Sequence, residues 1–239
     1  MKQPLLPVAI LAGGLATRLR PLTETIPKAL VEVAGEPFIT HQLRLLHSRG
    51  ITRVVICAAY RGEMIRDFVG NGQRFNLQVD FVFDGERLLG TGGAVKKALP
   101  LLGPSLFVLY GDSYLPCDYQ AVQAAFEASG KQALMTVFSN KGRWDTSNVL
   151  YEEGRILSYD KENITPRMQH IDYGLAVFRA AAFAAVPEER FDLAALCQHL
   201  LRRGQLAAFE VKERFYEIGS PRGLEETRRF LDSIDKTSF

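Results

Sequence analysis

The sequence lacks both a strong net charge and a long hydrophobic run. Lysine and arginine together number 29 and aspartate and glutamate 27, which leaves a formal charge of +2. That balance gives no electrostatic footprint for nucleic acid, and no run of basic residues suits a membrane surface. The apolar runs have the length of strands and fall far short of a bilayer span. We therefore expect neither nucleic acid nor a membrane as a partner.

Cysteine and histidine are scarce as well. The three cysteines are far apart and lack CxxC spacing, and the four histidines lack the spacing of zinc ligands. We expect buried or incidental thiols in a reducing compartment, and hence a cytoplasmic location. The apolar N-terminus is like a signal peptide in composition, but it runs straight into the glycine-rich motif described below, which its removal would destroy.

The composition is that of an ordinary soluble globular protein, with 47% hydrophobic and 23% charged residues among 239. This length suits one sizeable α/β domain or at most two small ones, and we expect a single domain over residues 1–239. Predicted strands and helices alternate through the first half: strands at 7–12, 53–59, 78–83 and 105–110, helices at 37–49, 63–69, 94–102 and 119–129. The alternation predicts a parallel, doubly wound sheet.

The pattern changes in the C-terminal 100 or so residues. They contain predicted strands at 133–138, 147–151, 156–159, 170–178 and 206–211, and helices at 192–203 and, capped by Ser220, at 221–234. We expect this part to complete the sheet and to build a lid-like lobe over the carboxyl ends of the strands. In open α/β sheets that edge is where ligands bind.

The most informative stretch is residues 11–30, LAGGLATRLRPLTETIPKAL. The first predicted strand ends at Gly13-Gly14, where the backbone can turn sharply and bring bare N–H groups close to an anion. Arg18, Arg20 and Lys28 follow and can neutralise a polyphosphate that the amides orient. A basic surface loop after a strand is the alternative interpretation. The motif is neither a Walker A loop nor GxGxxG, because no third glycine stands at the required offset.

A second candidate is Asp112, which follows the predicted strand SLFVLY in the order Tyr-Gly-Asp-Ser. A carboxylate at a strand's carboxyl end is well placed to hold Mg²⁺ against a nucleotide phosphate. An ordinary turn aspartate is the alternative.

Residues 11–30 resemble the signature of sugar-1-phosphate nucleotidylyltransferases, roughly LAGGxGTRLxPLTxxxPKPL, with the small residues Ala16 and Ala29 as departures. The resemblance implies a Rossmann-like α/β/α sandwich with a mostly parallel central sheet and a small acceptor lobe from the C-terminal part. It also implies catalytic roles for Arg18 at the β- and γ-phosphates, Lys28 at the α-phosphate and Asp112. The nucleotide-binding residues that it implies are Leu11, Ala12, Gly13, Gly14, Gly85, Gly90, Thr91 and Gly111.

Residues 215–221 resemble the family's W/Y-x-D-I-G-T-P segment, in which an aspartate shares a metal with the first carboxylate. The matching residue is Glu217, whose longer side chain must fold back by one methylene to reach the same ion. The resemblance therefore implies Mg²⁺ as the cofactor, held by Asp112 and Glu217.

Residues 84–93 resemble the family segment that flanks the nucleobase; a glycine-rich helix start is the equally good alternative. The segment has no amide side chain, the group that commonly reads thymine and uracil. Asp84 and Glu86 can accept hydrogen bonds from guanine N1–H and N2–H₂, which favours guanine.

Residues 158–161 resemble the family's F-x-E-K segment, with Asp160 in place of the usual glutamate at the sugar hydroxyls and Lys161 at the sugar phosphate. A solvated hairpin edge is the alternative. Asn148, Asp172 and Gly174 fall where the family closes its sugar pocket.

The resemblance implies a reaction in which an NTP and a sugar 1-phosphate give an NDP-sugar and pyrophosphate. Among the branches of the family, the heptose-1-phosphate guanylyltransferases look most similar to this sequence. A uridylyl-, thymidylyl- or cytidylyltransferase is an alternative. A catalytically weak regulatory protein that binds nucleotide sugars is another, and Glu217 in place of the family's aspartate is its main support. The absence of GxGxxG disfavours an oxidoreductase of the dinucleotide-binding fold. A homo-oligomer is compatible with the sequence.

Overall fold

The computed structural model describes residues 4–14 and 17–235. Ala16, one of the two departures from the glycine-rich signature, lies outside these residues. The helices are α1 Phe38–Ser48, α2 Gly62–Val69, α3 Gly90–Leu102, α4 Tyr119–Ser129, α5 Leu193–Arg202 and α6 Pro221–Asp235. The strands are β1 Val8–Ala12, β2 Glu32–Val33, β3 Glu36–Pro37, β4 Arg53–Ala58, β5 Gln78–Phe83, β6 Ser105–Tyr110, β7 Ser113–Tyr114, β8 Ala133–Ser139, β9 Val149–Glu152, β10 Arg155–Tyr159, β11 His170–Arg179, β12 Leu206–Val211 and β13 Tyr216–Glu217.

Nine of these strands form one sheet. Its order is β10-β9-β11-β6-β1-β4-β5, with β8 also paired to β11, and β12 paired to β8. Strands β6, β1, β4 and β5 are parallel, as are β8 and β12, whereas β11 runs antiparallel to β6 and β8. The expected mostly parallel sheet is confirmed, and β11 reverses direction because the chain enters it from the β9–β10 hairpin rather than from a crossover helix.

Side chains on opposite faces of the strands pack against two layers of helices. Along β4, Val54 and Ile56 pack into the core under α1, α2 and α4, and Val55 packs into the core under α3 and α5. Alternating burial of this kind follows from the two-residue period of a strand. The result is the three-layer sandwich that the resemblance implied.

Most predicted boundaries agree with the structure within one or two residues. Helix α3 is the largest exception, since it begins at Gly90 and not at residue 94, so the glycines form its first turn. The first strand of the hairpin begins at Val149, two residues after the predicted start.

Two small pairings lie outside the main sheet. Strand β7 pairs with β13, which sets Glu217 opposite Ser113, and the backbone N–H of Ile218 donates to the carbonyl oxygen of Asp112 at 2.9 Å. This pairing joins chain segments that are about 100 residues apart. In the part of the chain that the structure describes, no helix is both long enough and apolar enough to cross a bilayer.

Candidate active site

A first cleft of about 290 Å³ opens at the carboxyl ends of β1 and β6. The turn after β1, the first turn of α3 and the end of β6 form its walls. Its lining contains seven of the eight predicted nucleotide-binding residues: Leu11, Ala12, Gly13, Gly14, Gly90, Thr91 and Gly111. Gly85 is not among the lining residues.

The glycines at the strand ends let backbone segments approach closely. A Cβ on Gly111 would lie 2.9 Å from the carbonyl oxygen of Leu11, which accepts a hydrogen bond from the Gly111 N–H at the same distance. By contrast, no described heavy atom lies within 4 Å of a Cβ built on Gly14. Packing against residues 4–13 and 17–235 therefore does not explain Gly14, which lines the first cleft with its backbone.

The glycines of α3 have a structural reason of their own. A Cβ on Gly92 would lie 2.2 Å from the ring of Phe191, and one on Gly93 would lie 2.1 Å from the carbonyl oxygen of Glu189. Without side chains at these positions, the segment before α5 packs directly onto α3. That packing brings Asp192 to the cleft wall, where its Oδ1 accepts hydrogen bonds from the N–H and hydroxyl of Thr91, both at 3.3 Å.

The cleft floor also includes a buried thiol and an ion pair. Burial raises the pKa of Cys57 to about 12, so its thiol is protonated at neutral pH. Lys28 Nζ lies 2.9 Å from Asp112 Oδ2, with 18% and 28% of the two side chains exposed. Two of the three predicted catalytic residues therefore neutralise each other in the lining of the cleft.

A second cleft of about 300 Å³ adjoins the first and shares Tyr110 and Asp112 with it. Its lining brings together Arg18, Asn148, Lys161, Asp172, Gly174 and Glu217, all of them predicted site residues. Arg18 was expected at the β- and γ-phosphates of a nucleotide, but in the structure it lines this cleft and not the first one. Its Nη2 lies 3.3 Å from the position that a Cβ on Gly219 would take, and carboxylate oxygens of Asp112 and Glu217 lie within 4 Å of the same position.

Asp172 is the centre of a hydrogen-bond network in the second cleft. Its Oδ2 accepts from the hydroxyl of Tyr159 at 3.0 Å and lies 3.9 Å from Lys161 Nζ, and its Oδ1 accepts from the N–H of Gly174 at 3.1 Å. Asn148 Oδ1 accepts from the N–H of Asp172 itself at 2.9 Å. Burial, and next the charge of Asp172, raise the pKa of Tyr159 well above its usual range, which keeps the phenol protonated as a donor.

The backbone of β11 makes this arrangement possible. Its pairing with β8 shifts register between Asp172 and Ala176, and Gly174 has a φ of +97° within the irregular segment. A bulge of this kind changes the direction of neighbouring side chains and suits glycine.

Glu217 folds back onto the start of α6. Ser220 Oγ donates to its Oε1 at 2.6 Å, and the N–H of Gly219 donates to its Oε2. A Cβ on Gly219 would lie 2.8 Å from Glu217 Oε2, 3.1 Å from Asp112 Oδ2 and 3.3 Å from Arg18 Nη2. The two carboxylates therefore face the same small space, at the boundary between the clefts.

This pair of oxygen ligands suits a magnesium ion. Among the described residues no group of three or more His, Cys, Asp or Glu side chains could hold a metal. Mg²⁺ does not require one, because it binds through one or two carboxylates, substrate phosphates and water. The donor set therefore fits Mg²⁺ bound together with a phosphate ligand.

Three expected residues do not line the clefts. Asp160 is not in the lining of the second cleft. Its carboxylate accepts hydrogen bonds from the N–H and side-chain amide of Asn163 and from the N–H of Glu162, and these lower its pKa. Gly85 and Glu86 are likewise absent from the lining of the first cleft, whereas Asp84 is present and its Oδ2 accepts from the N–H of Leu89 at 2.9 Å. Sequence reasoning missed Asp192 and Tyr110, which line the first cleft, and Tyr159, which supports Asp172.

The fold agrees with comparisons to known proteins. The profile of the Nucleotidyl transferase family matches residues 8–148. The crystal structure of HddC from Yersinia pseudotuberculosis, also solved in complex with GMP-PN, superposes with a TM-score of 0.80 at 25% identity, over 95% of this chain and all of that one.

Two curated relatives illustrate the range of similarity. Mannose-1-phosphate guanyltransferase of Hypocrea jecorina is 26% identical over 95% of this chain, and the chain covers 65% of that protein's length. N-acetylmuramate alpha-1-phosphate uridylyltransferase of Neisseria meningitidis serogroup B is 40% identical over 47% of this chain and 49% of its own length. The family profile covers more than half of the chain, and the chain therefore belongs to the Nucleotidyl transferase family.

Proposed function

We propose that the protein transfers a nucleotidyl group from an NTP to a sugar 1-phosphate, which yields an NDP-sugar and pyrophosphate, and that residues 1–239 act as one nucleotidyltransferase domain. The observation that carries this proposal is the meeting of two clefts at Tyr110 and Asp112. The first cleft has the glycine-rich backbone of a phosphate site, and the second combines cations with hydrogen-bonding groups suited to a sugar. Substrates in the two clefts would bring the sugar phosphate to the α-phosphorus.

The reaction needs no covalent enzyme intermediate. A phosphate oxygen of the sugar attacks the α-phosphorus in line and pyrophosphate leaves, so the protein acts by positioning and by neutralising charge. Gly13, Gly14 and Gly111 hold the nucleotide, and Lys28 neutralises charge at the α-phosphate. Arg18 and Lys161 bind phosphate oxygens from the side of the second cleft.

Asp112 and Glu217 would hold Mg²⁺, which supplies positive charge to phosphate oxygens when bound. Their oxygens already face one space, as the position of Gly219 indicates. The hydrogen bonds from Ser220 and Gly219 hold the Glu217 carboxylate towards that space.

We propose guanine as the preferred base and a hexose or heptose 1-phosphate as the acceptor. Asp84 and Asp192 each direct a carboxylate to the first cleft, and each has one oxygen without a hydrogen-bond donor among the described residues. Guanine offers N1–H and N2–H₂ to such acceptors, whereas uracil and thymine offer a single N–H and need donors in return. The curated relative named as a guanyltransferase supports this choice, and the relative named as a uridylyltransferase makes UTP the principal alternative.

The test is pyrophosphate release with GTP, UTP, dTTP, CTP and ATP, each paired with a panel of sugar 1-phosphates, with the product identified by mass spectrometry. We expect the highest kcat/KM with GTP. The Asp112→Asn variant, with folding checked by circular dichroism, serves as the inactive control. Folded protein that releases no pyrophosphate with any pair would contradict the transferase proposal, and a preference for UTP or dTTP would contradict the base assignment.

A further inference from the structure

A third cleft of about 470 Å³ continues from the second one along the protein surface. Residues 141–147, residues 164–166, Met168, Gln169 and Arg222 form its walls. Asp145, Thr146 and Ile164 line both clefts, so a ligand in the second cleft can extend directly into the third. The proposed roles in nucleotidyl transfer do not use this space.

Positive charge dominates the third cleft. Lys141, Arg143 and Arg222 line it against a single carboxylate, that of Asp145. Arg222 bonds to Glu226, but neither Lys141 nor Arg143 has an acidic partner among residues 4–14 and 17–235. Two cations are therefore available to a ligand.

Hydrogen bonds from one buried side chain hold the loop that carries these cations. Asn140, which is fully buried, donates from Nδ2 to the carbonyl oxygen of Asp145 at 2.6 Å and to Ser147 Oγ at 3.0 Å. Its Oδ1 accepts from the N–H of Trp144 at 3.3 Å. A buried, satisfied polar network of this kind specifies one loop conformation.

The same loop holds Lys141 at a φ of +51°, in the left-handed region that a residue with a side chain rarely adopts. Gly142 follows with a φ of +67°, so the two residues form a tight turn that sets Lys141 at the wall of the cleft. Ile164, 40% exposed at the boundary with the second cleft, adds apolar surface beside the cations.

We propose that the third cleft binds a second anionic group on the acceptor, either a carboxylate or a second phosphate, through Lys141 and Arg143. This inference rests on the proposed function of the second cleft as the sugar 1-phosphate site. It narrows the substrate class from sugar 1-phosphates in general to acidic ones.

The experiment compares acceptors that differ only in the second anionic group. Mannose 1-phosphate and glucose 1-phosphate are each set against the corresponding uronic acid 1-phosphate and 1,6-bisphosphate, with the best NTP. We expect kcat/KM to be higher for one acidic member by on the order of tenfold, and this preference to weaken as salt is raised, because exposed cations are screened. The uronic acid 1-phosphates test a carboxylate and the 1,6-bisphosphates test a second phosphate, so the better acceptor identifies which anion the third cleft binds.

The variant Lys141→Ala/Arg143→Ala should abolish the preference while leaving kcat/KM for the neutral acceptor within about twofold. The matched control is Arg202→Ala/Arg203→Ala, which removes two exposed charges outside the three clefts and should keep the preference. Equal use of neutral and acidic acceptors, or a preference that survives the Lys141/Arg143 variant, would overturn the inference. If no combination of NTP and sugar 1-phosphate releases pyrophosphate, the proposed transferase function fails. Calorimetry with the sugar phosphates alone then tests the third cleft: tighter binding of the acidic sugar phosphate supports the inference, and equal binding overturns it.

Discussion

Replacing Gly223 by alanine should displace the carboxylate of Glu217. A Cβ built on Gly223 would lie 1.6 Å from Glu217 Oε1 and 2.3 Å from its Cδ. The oxygen would have to move by ~1.4 Å to reach the closest separation that real Cβ atoms show. It would then leave the hydroxyl of Ser220 and the N–H of Gly219, and hydrogen bonds to a charged group contribute about 1.5–3 kcal/mol each.

The expected consequence is a loss of activity larger than the loss of stability. Because a misplacement of about 1 Å in a catalytic constellation can cost about 10²-fold, we expect kcat/KM of Gly223→Ala to fall by that order. The Mg²⁺ concentration for half-maximal rate should rise as well. Binding of Mn²⁺ followed by electron paramagnetic resonance, with NTP present and the acceptor absent, should weaken in parallel and gives a measurement independent of turnover.

A double-mutant cycle with Glu217→Asp isolates the cause. Aspartate is shorter by one methylene and leaves room for the methyl group that the Gly223→Ala substitution adds, so Glu217→Asp/Gly223→Ala should be within about tenfold of Glu217→Asp alone. The contact of 2.7 Å between the added Cβ and the Glu217 carbonyl oxygen exists in both backgrounds and cancels in the cycle. Wild-type activity in Gly223→Ala, or an equal loss in both backgrounds, would refute the reasoning.

Three further predictions follow from the clefts and the buried thiols. Lys28→Ala should lower turnover about 10²–10³-fold with little change in melting temperature, because it removes the cation nearest the α-phosphate; near-normal turnover would exclude Lys28 from the mechanism. Lys161→Ala should raise the KM for the sugar phosphate about tenfold and leave the Kd for NTP, measured by calorimetry, unchanged. Loss of NTP binding would show that Lys161 contacts the nucleotide and not the sugar phosphate. Burial raises the pKa of Cys57 and Cys117 to about 12 and also raises that of Cys197, so the folded protein should not react with Ellman's reagent at pH 8 and should release three equivalents when unfolded; rapid reaction of the native protein would contradict this.

Local signals predicted the regular elements well. Strand β6 and helix α4 have their predicted bounds, because an apolar run bounded by turns specifies the strand and Asp118 caps the helix, with Oδ1 accepting from the N–H groups of Gln120 and Ala121. The glycine-rich segment after β1 was likewise recognisable, since its function depends on residues that are adjacent in the chain.

Contacts between distant segments could not be predicted in this way. Strands β7 and β13 have two residues each and no periodicity to detect, although their pairing is what brings Glu217 to Asp112. Asp192 was predicted to begin a helix, but its place in the first cleft depends on Gly92 and Gly93, which let the preceding segment pack onto α3. Such positions follow from tertiary packing, which no local pattern encodes.

Glu217 illustrates how the structure changes the interpretation of a single residue. In the sequence, its extra methylene relative to aspartate was the main support for a catalytically weak regulatory protein. In the structure, the longer side chain folds back, and Gly223 leaves the space that its carboxylate occupies. Ser220 and Gly219 then hold that carboxylate towards Asp112. A degenerate site has no physical requirement for such an arrangement, because loss of function removes the need to keep a charged group oriented. The surroundings of Glu217 therefore favour an enzyme in which a glutamate and a glycine together replace the usual aspartate.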